Sequence, residues 1–197
     1  MHRSLVPLAA LAVALLLVPA ALAARVSVRV EGKTQSLFGP LETRFEAGGS
    51  ALEALDAASL RGEFYYHVTQ SSFGTYVDQV GRYPAGGSNG WVFKVNGASP
   101  PVGADKVELK DGDRVLWYWA TFGPTGGPPT LLLTMTRRNC YRVVSENDAG
   151  ADRVASGAVL RVDGRRVRTR AGRACVGRHQ GLVRATLAGA VRSNALR

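Results

Sequence analysis

A run of glycine and proline near the middle of the chain constrains the fold more than any other feature. Residues 126–129 are all glycine or proline, and such a run cannot continue a helix or a central strand. The charge changes at the same place. Residues 24–123 carry ten basic and eleven acidic side chains, whereas residues 124–197 carry fourteen basic and four acidic. We therefore expect two separately folded parts, 24–123 and 131–197, joined by a linker at 124–130.

The first 23 residues are predicted to be a signal peptide. Arg3 precedes an apolar stretch over residues 5–17, Pro19 ends that stretch, and Ala21 to Ala23 form a small-x-small cleavage pattern. A retained membrane anchor is the alternative, since about 20 apolar residues can span a bilayer. Cleavage would release a secreted, extracellular chain that begins near Ala24 and has no further membrane span.

The part at 24–123 shows one helix among several strands. Alternation of valine with polar residues over 25–30 predicts a half-buried first strand. Ser50 and Glu53 form a capping box for a helix whose apolar stripe is Leu52, Leu55 and Leu60.

The segments after the helix are extended in pattern. We predict strands at 64–68, 74–80, 91–95, 107–109 and 115–119. A turn at Asp111 to Asp113 would make a hairpin in which Leu109 faces Val115. A single short helix covers only one face of a mixed sheet, so the predicted fold of this part is α+β, of the β-grasp type.

The strand from Trp91 to Val95, the turn at Asn96 and Gly97, Gly103-Ala104, and the run from Asp111 to Trp119 together form a pattern. Over residues 25–123 this pattern resembles the transcobalamin-like C-terminal domain family. In that family the domain closes over one face of cobalamin, and the tryptophan-led strand lies near the ligand. The resemblance implies that Trp91 contacts a flat, cobalamin-like ligand.

Aromatic side chains are dense around the predicted sheet. Trp117 and Trp119 share one face, so Tyr118 lies on the other, which one helix leaves uncovered. Such a face suits a flat ligand or a partner protein, although plain packing in the core is the alternative. The candidate ligand-binding residues are Trp91, Phe93, Tyr83, Tyr118, Ser71 and Ser72.

The part at 131–197 contains a clear hairpin signal, Asp163-Gly164 between two extended runs. The implied register places Leu160 opposite Val167 and Arg161 opposite Arg166. The sequence here weakly resembles a carboxypeptidase-regulatory or bacterial Ig-like β-sandwich. We therefore expect a small, all-β, basic sandwich.

That register directs Arg161, Arg166, Arg168 and Arg170 outward together. A solvated surface is one interpretation. The other is attraction to anionic cell-surface polymers. Nucleic acid is disfavoured, because no aromatic side chains are interleaved with these arginines to stack on bases.

Cys140 and Cys175 are the only cysteines, and in an exported chain they predict a structural disulfide. A free nucleophilic or metal-binding thiol is the alternative. The chain after residue 23 has only His67 and His179, and it has no Gly-x-Ser-x-Gly motif.

We therefore predict a protein that is not an enzyme, with no metal site and no required cofactor. The first functional hypothesis is a secreted binding protein for a small flat ligand such as a corrinoid. The alternative is an extracellular surface or matrix module that meets a partner protein and is held to anionic polymers by its basic part.

Overall fold

The computed structural model describes residues 24–72, 74–124 and 126–197, so the predicted signal peptide at 1–23 lies outside the described residues. The fold is mostly β: the described residues form sixteen short strands, one α-helix and one 3₁₀ turn. None of the helices in these three ranges is long and apolar enough to cross a membrane.

Eight strands and the α-helix belong to the N-terminal half, residues 24–121. In chain order they are β1 (Ala24–Glu31), β2 (Ser36–Phe38), β3 (Arg44–Ala47), α1 (Ala51–Gly62), β4 (Tyr66–Ser71), β5 (Gly74–Val80), β6 (Tyr83–Pro84), β7 (Asn89–Val95) and β8 (Arg114–Thr121). The 3₁₀ turn, Ala104–Lys106, lies between β7 and β8.

The main sheet of this half has the strand order β2-β1-β8-β7, and β3 also pairs with β1. β1 and β8 run parallel, and the other neighbours are antiparallel. β4, β5 and β6 form a separate three-stranded sheet. The helix packs on one face of the main sheet, in an apolar core that contains Val28, Leu55 and Trp117.

The helix begins as predicted. The backbone N–H of Glu53 donates to the Ser50 hydroxyl at 3.2 Å, and the backbone N–H of Ser50 donates to the Glu53 carboxylate at 2.8 Å. Leu55 is fully buried, but Leu60 is 75% exposed. Five residues separate the two, which places Leu60 about 140° around the helix from Leu55. The predicted stripe was therefore wrong at Leu60, and Ala51, Ala54 and Ala58 complete the buried face.

The predicted strands at 74–80 and 91–95 are confirmed as β5 and β7, and β4 begins at Tyr66 rather than at residue 64. The predicted hairpin between Leu109 and Val115 was wrong. Val115 pairs with Val28 and Val95, while the backbone N–H of Leu109 donates to the carbonyl of Gly49 at 2.7 Å. The segment 107–109 therefore lies against the start of the helix.

The remaining strands form the C-terminal half, residues 130–197. They are β9 (Thr130–Arg137), β10 (Cys140–Glu146), β11 (Asp152–Val154), β12 (Val159–Val162), β13 (Arg165–Arg168), β14 (Arg173–Cys175), β15 (Val183–Thr186) and β16 (Ala195–Leu196). One four-stranded sheet is β11-β10-β14 with β9 on β10, and the other is β13-β12-β15-β16. Apolar residues of both sheets meet in a second core.

The predicted hairpin of this half is confirmed. Leu160 pairs with Val167, and Arg161 pairs with Arg166. Asp163 and Gly164 have φ values of 46° and 72°, the left-handed conformation that a two-residue hairpin turn requires at both positions. This is why the aspartate–glycine pair stands there.

The two halves pack against each other through the second face of the main sheet. Leu116, Tyr118 and Ala120 of β8 form a small apolar cluster with Val191, and Tyr118 is 1% exposed. The expectation of an uncovered second face was therefore wrong: the helix covers one face, and the C-terminal half covers the other. The prediction of a half-buried β1 fails for the same reason, since Ser27, Arg29 and Glu31 are all buried.

Glu31 is the centre of a buried ionic cluster at this junction. Its carboxylate is fully buried and forms ion pairs with guanidinium nitrogens of Arg192 at 3.0 Å and of Arg29 at 3.3 Å. The Arg184 guanidinium and the Ser36 hydroxyl also donate to it. Burial lowers the pKa of Arg184, and the Glu31 charge opposes that shift. Since arginine stays protonated in proteins, one carboxylate links two arginines of the C-terminal half to strand β1.

Lys94 makes a second polar connection across the junction. Its side chain is fully buried, and Nζ donates to the carbonyls of Asn147 at 2.8 Å and Glu146 at 3.1 Å, and to the Thr130 hydroxyl at 3.3 Å. Burial lowers the pKa of Lys94, while the carboxylates of Asp148 and Glu146 act to raise it. All three ammonium protons thus have acceptors in the C-terminal half.

Candidate functional site

An apolar cleft of about 510 Å³ lies along the edge of β7. Residues from both faces of β7 line it, because the cleft wraps around the outer edge of that strand. Its other walls come from β5, from the segment 99–104 and from Phe122. The polar residues that line it are Ser71, Thr75, Ser99 and Asp148.

The floor of the cleft is a set of aromatic rings in fixed contact. Phe93 stacks on Trp117 with ring centroids 4.9 Å apart, and Trp91 meets Trp119 edge to face at 5.7 Å. The Trp91 indole N–H donates to the carbonyl of Tyr83 at 2.8 Å. Trp91 and Trp117 are almost fully buried, whereas Phe93 is half-buried, so of these three rings Phe93 is the most open to the cleft.

Trp117 carries an unusual feature for a buried indole. Its N–H has no hydrogen-bond partner among the described residues, although a buried donor normally has one. Trp117 is also a lining residue of the cleft. The Trp119 N–H, which lies outside the cleft lining, is also buried without a partner among the described residues, so neither indole N–H is open to a molecule in the cleft.

Two tyrosines border the cleft at different depths. Tyr76 is 37% exposed at the rim, and a Cβ atom at position 90 would collide with its hydroxyl, so Gly90 makes room for the ring. Burial raises the pKa of Tyr76 and, more strongly, that of Tyr118. The Asp148 charge also raises the pKa of Tyr118. Both phenols are therefore neutral at physiological pH and can act as hydrogen-bonding groups.

The structure brings four of the six predicted ligand-binding residues to this cleft: Trp91, Phe93, Tyr118 and Ser71. It does not bring Tyr83, whose ring lies 6.0 Å from that of Trp119 behind the floor, or Ser72, which is exposed in the turn between β4 and β5. Sequence reasoning missed the wall at Pro100, Pro101 and Val102 and the rim residue Phe122. The consecutive prolines were the available signal for that rigid wall.

The four arginines predicted to project together are all exposed: Arg161, Arg166, Arg168 and Arg170. None of the ion pairs found within the described ranges involves them. Arg184, which pairs with Arg161 across β12 and β15, instead turns to Glu31. The arginine face therefore consists of like charges without acidic partners.

The predicted disulfide is confirmed: Cys140 and Cys175 are bonded and are direct register partners of β10 and β14. Neither histidine contacts the disulfide in the described part of the chain. His67 Nδ1 lies 2.7 Å from the exposed Asp78 carboxylate, and His179 Nε2 lies 2.9 Å from the Tyr141 hydroxyl. Across the described part of the chain, no group of three or more His, Cys, Asp or Glu side chains could hold a metal ion.

Comparison with known proteins gives three findings. No curated protein matches this chain. A crystal structure described as that of "a putative metal binding protein from Ruminococcus gnavus" is similar with a TM-score of 0.38 and 19% identity, covering 49% of this chain and 95% of the other. Residues 48–121, from just before the helix to the end of β8, match a family described as a domain of unknown function, DUF4430.

Proposed function

We propose that this protein is a secreted, non-catalytic binding protein whose cleft beside β7 takes up a small, flat, mostly apolar molecule. The observation that carries the proposal is the cleft itself, with its aromatic floor and few polar groups. Its volume of about 510 Å³ lies in the range of about 300–1,000 Å³ that is common for small-molecule sites. Nearly all of its lining residues fall within the segment 48–121.

The occupant is expected to be uncharged where it meets the floor. A charged group placed against Trp91, Phe93 and Val102 would lose its hydration without gaining a partner. The phenol of Tyr76, which is 37% exposed at the rim, favours a molecule with acceptor atoms at its edge. A flat ring system with peripheral oxygen or nitrogen atoms meets both conditions.

A corrinoid is the specific form of this proposal. It rests on a β-grasp assignment for residues 24–123, similar to the transcobalamin-like C-terminal domain. The parallel pairing of β1 with β8 and the single helix on one face of a mixed sheet support that assignment. In the same scheme the two facing sheets of the C-terminal half make a β-sandwich.

The test is equilibrium binding of cobalamin, and separately of a small uncharged aromatic probe such as naphthol, to residues 24–197. Binding to wild-type protein is expected to quench tryptophan fluorescence, since all three tryptophans lie at or behind the cleft. Val102→Glu is expected to weaken binding at least about tenfold, because it places a carboxylate at the apolar rim. Isothermal calorimetry measures the change in Kd.

Val154→Glu is the matched control, since Val154 is 49% exposed and Val102 is 44% exposed. It lies on β11, away from the cleft, and should leave Kd unchanged. If the aromatic probe binds and cobalamin does not, the corrinoid hypothesis is rejected and the cleft remains the proposed binding site. Equal affinity in wild type and Val102→Glu would reject the cleft as the site.

The second candidate function is an extracellular module that binds anionic polymers. The observation that favours it is the arginine face, because like charges directly opposite each other cost stability and here gain no acidic partner. Four guanidinium groups on one surface would meet repeated phosphate or carboxylate groups of a polymer. This function does not compete with the cleft for residues.

Retention on a polyphosphate matrix tests this second candidate. The double variant Arg166→Gln/Arg168→Gln is expected to elute at clearly lower salt than wild type, because the polymer loses two of its four contacts. Arg25→Gln/Arg44→Gln, two exposed arginines of the N-terminal half, is the control with the same net charge, and it should elute close to wild type. Equal shifts for the two pairs would mean that net charge alone holds the protein on the matrix.

A further inference from the structure

The Cys140–Cys175 disulfide borders a surface cleft on the outer face of its sheet. Cys140 is 8% exposed, whereas Cys175 is exposed. A cleft of about 480 Å³ leads to them, lined also by Thr136, Arg137 and Arg173. We take Cys175, the more exposed of the two cysteines, as the first point of attack.

Arg137 contacts both sulfurs. Its Nε lies 3.2 Å from Cys140 Sγ, and one terminal guanidinium nitrogen lies 4.0 Å from Cys175 Sγ. A guanidinium at hydrogen-bond distance stabilises a sulfur that takes on negative charge. Of the two sulfurs, Cys140 Sγ is the one placed to carry that charge.

Two more arginines surround the disulfide. Arg142 and Arg173 are register partners, and each lies two residues from a cysteine on its strand, so both share the face of the disulfide. Both are exposed, and neither they nor Arg137 takes part in an ion pair within the described ranges. The local field therefore attracts anions.

We propose that this disulfide is an exchange site for small anionic thiols. A thiolate attacks Cys175 Sγ, a new sulfur–sulfur bond forms between them, and the original bond breaks. The electron pair of that bond leaves with Cys140 Sγ, which becomes a thiolate beside Arg137 Nε. A second thiolate can then attack the sulfur of the thiol bound to Cys175. The bond to Cys175 breaks, the small disulfide is released, and both cysteines are left reduced.

Two physical effects act together at this site. The three guanidinium groups raise the local concentration of an anionic thiolate, an effect that speeds association by tenfold or more in positively charged clefts. Arg137 makes Cys140 a better leaving group, because exchange is faster when the departing thiol has a low pKa. The site therefore selects by the charge of the thiol, and its chemistry is independent of the cleft beside β7.

The experiment compares 2-mercaptoethanesulfonate with cysteamine as attacking thiols on residues 24–197 at low ionic strength. Each rate constant is calculated for the thiolate form of the reagent. It is then divided by the rate constant for the same thiol with an uncharged small disulfide, which removes differences in intrinsic reactivity. We expect the anionic thiol to react about tenfold faster than the cationic one, and the ratio to shrink as salt is added. Acid-quenched mass spectrometry gives the rates, and peptide mapping gives the position of the adduct, expected on Cys175.

Arg142→Gln/Arg173→Gln, which keeps only Arg137 at the site, is expected to lower the ratio clearly. Arg161→Gln/Arg168→Gln, with the same loss of charge on the other sheet, should preserve it. Equal rates for the two thiols on wild-type protein would overturn the proposal. An adduct found mainly on Cys140 would overturn the assigned direction of attack. The ratio of the two rates on wild-type protein, and its dependence on salt, test the proposal even if a variant fails to fold.

Discussion

Replacing Glu31 by glutamine is expected to lower the free energy of unfolding by about 3–5 kcal/mol, the usual cost of removing one partner from a buried ionic group. Glutamine keeps the size of the side chain but removes its charge. Arg29, Arg184 and Arg192 would then share a buried site in which Glu31 no longer offsets their charge. Urea denaturation followed by tryptophan fluorescence measures the loss.

Glu46→Gln is the matched control for this experiment. Glu46 lies on β3 and is exposed, so the same chemical change there should alter stability by no more than about 0.5 kcal/mol. A loss below about 1 kcal/mol in Glu31→Gln would show that the three arginines find other partners. The junction would then depend on its apolar contacts alone.

The second large effect is expected from the disulfide. Cys140→Ala/Cys175→Ala should destabilise the C-terminal half by about 3–4 kcal/mol, because the bond closes a loop across 35 residues and so reduces the entropy of the unfolded chain. Far-UV circular dichroism during urea denaturation monitors both halves. Tryptophan fluorescence monitors the N-terminal half alone, since Trp91, Trp117 and Trp119 all lie there.

Wild-type protein reduced with a phosphine is the control, and it should lose as much stability as the double variant. A substantially smaller loss in the reduced protein would point to packing defects at the alanines rather than to the bond. If instead both forms keep wild-type stability, the unfolded chain is already restricted between residues 140 and 175. The entropic account of this disulfide would then be wrong.

Local signals predicted the elements that depend on neighbours in the sequence. The capping box at Ser50 and Glu53 fixes the start of the helix within one turn. The turn at Asp163 and Gly164 fixes the register of its hairpin, because two-residue turns of this type align the flanking strands. Each of these interactions spans only a few residues, so the sequence pattern contains all of it.

Pairings between distant segments could not be predicted in this way. The parallel pairing of β1 with β8 brings Val28 beside Val115, and no turn residue marks such a connection. Arg29 and Glu31 have the pattern of a solvated strand face. They are buried because Arg184 and Arg192 arrive from more than 150 residues later in the chain.

The cleft residues also divide into those that the sequence pattern predicts and those that depend on contacts between distant segments. Trp91 and Phe93 were identified because aromatic residues in one strand can be recognised from the sequence. Phe122 and the wall at 100–102 were missed, because their approach to β7 depends on the packing of a loop without a recurring pattern. Tyr83 was predicted as one of the aromatic residues around the sheet, whereas the fold places its ring behind Trp119.

The cleft beside β7 takes its walls from both halves of the protein. Asp148 belongs to the C-terminal half, and its carbonyl accepts the backbone N–H of Ser99 at 2.8 Å. A molecule held there against both walls binds best when the halves are docked. By thermodynamic linkage it must favour docking by the same factor, so occupancy would tighten the whole chain as well as fill the cleft.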